Sequence, residues 1–87
     1  MNAPQKRRTF DRIREAVLPE YRDRVDEYLE QYERVLHDEL AEPAARQEAG
    51  QQLRGYLRGL NTTRVIGMAD WEDLDHRVVE AWLLVTA

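Results

Sequence analysis

Apolar residues recur along this chain at steps of three and four, in runs separated by Pro19, Pro43 and Gly67. Such spacing places side chains on one face of an α-helix. In the first run Phe10, Ile13 and Val17 share a face, which predicts a short helix over about 9–18 with Thr9 as its cap. Met1–Arg8 is polar and basic, holds Pro4 and lacks this periodicity, so residues 1–8 read as a flexible arm ahead of a single helical domain, 9–87.

Pro19 disfavours helix at Leu18 but suits the first turn of a new one, and Glu20 and Asp23 complement the positive end of that helix. A second helix is predicted over about 19–41. Tyr21, Val25, Tyr28, Tyr32 and Val35 follow 4-3-4-3 spacing, widened by Leu29, Leu36 and Leu40. Asp23, Glu27, Glu30, His37 and Asp38 fall opposite, giving an acidic outer face. Pro43 opens a third helix, about 43–60, with Ala45, Ala49, Leu53, Tyr56, Leu57 and Leu60 as its buried arc. Arg46, Gly50, Arg54 and Arg58 step along its flank and outer side. Gly55 lies inside it at a cost of about 1 kcal/mol relative to alanine, which marks either a close approach or a tolerated weakness. Gly59 and Asn61 are both candidates to end it.

The fourth helix, about 68–85, has two competing caps. Asp70 is an ordinary capping residue, but Gly67 makes a better set. It places Ile66 before the cap and Trp71 fourth in the helix, the two positions of a hydrophobic staple, with Asp70 third. Trp71, Leu74, Val78, Ala81, Trp82 and Val85 form its apolar arc. Trp82, Leu83, Leu84 and Val85 point in successive directions, so the last turn is apolar all round and needs covering by the fold or by a partner. The expected fold is therefore all-α: a small antiparallel bundle of three main helices plus a short N-terminal one.

Composition narrows the function. The 87 residues contain neither cysteine nor serine, which removes disulfides, zinc-thiolate sites and the commonest hydroxyl and thiol nucleophiles. The threonines lie at helix ends or in a loop, where local hydrogen bonding accounts for them. Gly55 and Gly59 are helically spaced and form no phosphate loop. No enzyme activity, metal or cofactor is expected. Glu72, His76 and Glu80, with Asp73, and Glu33 with His37, have ligand-like spacing, but the predicted polar faces turn them outward, away from any bundle interior. Asp75 falls within the apolar arc of the fourth helix, where it is either a buried carboxylate or the partner of an arginine at the rim.

Net charge is −4, distributed as +3 over residues 1–19, −6 over 20–42, +3 over 43–67 and −4 over 68–87. Alternating signs favour segments that attract one another within the fold or across a dimer. With no long apolar stretch, a membrane span is not expected and the cytoplasm is the expected location. By elimination the expected function is that of a small acidic helical adaptor, inhibitor or regulator that binds another protein and self-associates as a homodimer. Val79, Trp82, Leu83, Leu84, Tyr28 and Tyr32 are the candidate interface, because aromatic and apolar side chains are enriched at interface centres. The alternative is a nucleic-acid-associated regulator contacting phosphates through Lys6, Arg7, Arg8, Arg54 and Arg58, with Arg46 beside them. The fourth helix, with Glu72, Asp73, Asp75 and Glu80 against Arg77, would be repelled by a DNA groove.

Overall fold

Four amphipathic stripes on a cysteine-free chain of this length have to be buried against one another, and the computed structural model, which describes residues 3–83, shows how. Helix α1 spans Ala3–Ala16, α2 Arg22–Leu36, α3 Pro43–Thr62 and α4 Met68–Val78. A 3₁₀ turn at Pro19–Tyr21 leads into α2, and a wide π-type turn, Val79–Leu83, continues α4. No strand occurs among the described residues. Each helix packs on the next in sequence, and α1 closes the ring against α4, so the fold is a small all-α bundle.

The core lies inside this ring. Phe10, Ile13 and Val17 of α1 are buried, as are Val25, Leu29 and Leu36 of α2, Leu53, Leu57 and Leu60 of α3, and Leu74 and Val78 of α4. Cross-element ion pairs join the segments of opposite charge. Arg14 of α1 bonds Asp26 (Nε to Oδ1, 2.9 Å) and Glu33 of α2. Arg54 of α3 grips both carboxylate oxygens of Asp75 on α4 at 2.8 and 3.1 Å. The rim arginine, rather than burial alone, is thus what Asp75 finds.

Helix α1 starts at Ala3, six residues before Thr9, so Lys6–Arg8 are helical. Pro4 stands in the first turn, where its missing N–H costs nothing, and Thr9 is a buried mid-helix residue at 1% exposure. The second helix is shorter than the pattern predicts. It ends at Leu36, and residues 37–42 form turns in which the Asp38 carboxylate accepts the Leu40 N–H at 2.9 Å. This competition for backbone groups is what aspartate does at helix ends. Leu40, placed in the buried stripe by angular projection, is consequently 94% exposed. Tyr21 sits in the 3₁₀ turn and is exposed as well, and Ala45 of the predicted α3 arc faces solvent.

Gly67 is the N-cap of α4, with Ile66 buried before it and Trp71 packed against the core, as the staple requires. Asp70 makes no capping hydrogen bond. The α3 terminus is neither Gly59 nor Asn61. The Val65 N–H bonds the Leu60 carbonyl at 2.8 Å and the Arg64 N–H bonds the Asn61 carbonyl at 2.9 Å, the paired bonds of a Schellman cap. The left-handed position this cap needs is held by Arg64, at φ 64°.

Candidate interaction surface

Three tyrosines meet where α2 and α3 pack. Tyr28 and Tyr32 lie four apart on α2 and so share a face. Tyr56 of α3 approaches both, with ring centroids 5.5 Å from Tyr28 and 6.0 Å from Tyr32. Tyr32 and Tyr56 rest against the core, while Tyr28 remains 48% exposed. Burial raises the Tyr56 pKa, and the neighbouring Tyr28 and Tyr32 hydroxyls add to the rise, so its phenol stays protonated at neutral pH. The cluster offers amphipathic rings with donor hydroxyls at a low entropy cost for ordering, the chemistry favoured at protein contacts.

Beside this cluster runs the outer face of α3. Ala44, Glu48, Gln51, Gly55, Arg58 and Thr62 are all exposed. A Cβ at Gly55 or Gly59 would meet nothing within 4 Å, so neither glycine is explained by packing inside the chain. On the far side of this face, Arg54, Arg58, Gln51, Gly55, Trp71 and Asp75 line an open groove between α3 and α4. The Trp71 indole nitrogen is buried without a hydrogen-bond partner. Hydrophobic periodicity is silent about this face; the signal in the sequence is the regular spacing of its small and amide residues among so many charged ones.

The C-terminal turn is used largely within the fold. Trp82 donates its indole N–H to the Leu36 carbonyl at 3.3 Å, which satisfies one of the unpaired carbonyls at the end of α2. Its ring packs on Phe10 (centroids 5.6 Å, 61°) and on His37 (6.3 Å, 35°). Leu83 lies over Gly50, where a Cβ would come within 3.0 Å of the leucine Cδ2. The close approach in α3 is therefore at Gly50, which helical projection puts on the flank, and not at Gly55. Val79, Trp82 and Leu83 are each half-buried; Leu84 and Val85 lie outside the described residues.

His37 also departs from its expected polar face. Because α2 ends before it, the ring turns inward and meets Phe10 edge-on at 5.2 Å and 85°, with Nε2 enclosed and unbonded. Burial lowers its pKa, against a partial opposing pull from Glu33, and Arg7, Lys6 and Arg14 lower it further. His76 stays exposed and meets Glu80 at 2.7 Å. Among the described residues no group of three histidines or carboxylates is placed to hold a metal ion.

The basic residues separate into two places. Lys6, Arg7 and Arg46 line a cavity of about 180 Å³ shared with Asp38 and Glu39, and Arg8 is exposed on α1. Arg54 and Arg58 border the α3–α4 groove, with the Arg54 guanidinium already held by Asp75. Thr62 and Thr63 return their hydroxyls to the Arg58 and Gly59 carbonyls at 2.9 Å, the local use foreseen for them. Comparison of the chain with family models, curated proteins and solved structures yields no match.

Proposed function

We propose that this chain is a small acidic, non-enzymatic helical module of the cytoplasm that acts by protein–protein interaction and self-associates, its occupant being a second copy of itself. The observation that carries the reading is the Tyr28–Tyr32–Tyr56 cluster, an aromatic surface spanning two helices and left half-open to solvent. The absence of serine and cysteine from the sequence supports the non-enzymatic part. The sequence places its acidic groups along α2 and α4, which keeps non-specific anionic partners away. Phosphate binding has less behind it, since Asp75 holds Arg54 and two carboxylates share the cavity of Lys6, Arg7 and Arg46.

Light scattering across a concentration series tests this. Self-association predicts a rise from the 10.3 kDa chain toward twice that mass. For a small polar-rimmed interface the transition belongs in roughly the 10–100 μM range. Tyr28→Ser should move it to higher concentration while leaving the helical circular dichroism unchanged. A constant chain mass throughout would refute self-association. Duplex binding at about 50 mM salt that falls steeply with added salt would instead favour the phosphate-contacting alternative.

A further inference from the structure

Among the exposed residues of α3, which also include Ala45, Gln47, Gln52 and Gly59, one row runs along the middle of the outer face. Ala44, Glu48, Gln51, Gly55, Arg58 and Thr62 follow one another at 4-3-4-3-4, a heptad seam facing away from the core. Only two of the six carry charge, Glu48 and Arg58, and neither has an ion-pair partner within the described chain. They are ten residues apart, about 15 Å along the helix, which is too far to pair with each other.

An antiparallel copy resolves this pattern. In antiparallel coiled coils one seam position faces the other kind, so the seam reads against itself in reverse. With the two-fold axis beside residue 53, Glu48 faces Arg58 of the second copy and Arg58 faces its Glu48. In the same register Gln51 meets Gly55, and Ala44 meets Thr62. Each larger amide is set opposite a glycine, and each charge opposite its complement. A closed two-fold pairing of this kind is isologous, with the same patch used twice.

We propose that α3 forms an antiparallel seam with α3 of a second copy, in the register that pairs Glu48 with Arg58 across the two-fold axis. The proposal rests on the self-association reading above and names its surface. In this arrangement the tyrosine side of one subunit meets the tyrosine side of the other, and the Trp71 sides meet likewise. A 20-residue helix is about 30 Å long, and with those aromatic rims it offers a strip on the order of 600–800 Å² per subunit, the size a small stable interface needs. The absence of side chains at Gly55 and Gly59, unexplained inside one chain, lets the backbones approach.

Charge reversal tests the register. Glu48→Arg alone, and Arg58→Glu alone, place like charges opposite each other twice per dimer and should weaken self-association about tenfold or more. The double variant E48R/R58E restores both pairs and should return the dissociation constant to within about threefold of the parent. Both sites of change are solvent-facing, so circular dichroism should show the same helical fold throughout. If the parent chain self-associates but neither single reversal weakens it, or the double variant fails to recover, the α3 register is overturned while self-association stands. If the parent chain is a monomer at every concentration, both readings fall together.

Discussion

Two glycines on one helix make a matched experiment on whether the C-terminal turn is seated as described. Gly50 and Gly55 both lie in the interior of α3, so replacing either by alanine should gain about 0.5–1 kcal/mol from backbone entropy and helix propensity. At Gly55 nothing opposes that gain, because the new methyl meets no atom within 4 Å. At Gly50 the methyl would lie 3.0 Å from Leu83 Cδ2, 3.4 Å from Leu83 Cγ and 3.6 Å from Trp82 Cβ. The first contact is tighter than ordinary packing, so Leu83 must give by a few tenths of an ångström, and its neighbour Trp82, anchored on Phe10 and Leu36, limits how far it can. Overpacking of this sort costs roughly 1–3 kcal/mol. Gly50→Ala should therefore be about 0–2 kcal/mol less stable than the parent, and Gly55→Ala more stable by up to about 1. A difference of 1–3 kcal/mol corresponds to several degrees in Tm for a chain of this size. Urea unfolding followed by circular dichroism at low micromolar concentration, where association is negligible, measures both. Equal stabilisation by the two substitutions would mean that Leu83 does not rest on Gly50, and the account of the C-terminal turn would be wrong.

Other outcomes follow from single sites. Because the folded-state pKa of His37 is depressed by burial, the unfolded chain binds its proton more readily; stability should fall as pH drops below the ordinary value of 6.5 and level off below the depressed one. His37→Phe should remove that slope between pH 7 and 5 in urea titrations, and an unchanged slope would exclude His37 as its source. Arg64→Gly should stabilise the fold by about 0.5–1 kcal/mol by relieving the left-handed cost at φ 64°, and a loss of stability would contradict the Schellman geometry. A double-mutant cycle on Arg54→Met and Asp75→Asn should give a coupling of about 0.5–1 kcal/mol, since the pair is bidentate but its side chains are 38% and 23% exposed. A coupling near zero would show that solvent competes successfully for both groups.

Much of the fold was legible because its signals are local. The Ile66–Gly67–Trp71 staple is written within six residues, and the stripe of Phe10, Ile13 and Val17 needs only helical spacing to be read. What escaped depended on where a helix stops or on what lies across from it. Projection through Leu36 to Leu40 assumed a helix that Asp38 helps to end, so His37 and Leu40 exchanged their expected surroundings. Extension of α1 back to Ala3 has no apolar period to announce it, because Pro4–Arg8 contribute no hydrophobic stripe. The covered glycine was not readable at all: Gly50 and Gly55 look alike in sequence, and only the path of the turn after Val78 distinguishes them. The same applies to the tyrosines, whose identity was visible but whose meeting across α2 and α3 is a property of helix packing.

The bond from Trp82 to the Leu36 carbonyl joins positions 46 residues apart, and the same indole ring covers Phe10 in the first helix. Phe10 is made 72 residues before Trp82, so its junction with the indole can close only after the three intervening helices have been made. Until residue 82 has been made, Phe10 and the Leu36 carbonyl lack this cover and the aromatic junction stays open. A chain cut short of Trp82 leaves the first helix and the end of the second without their shared cap, so the two ends of the sequence stand or fall together.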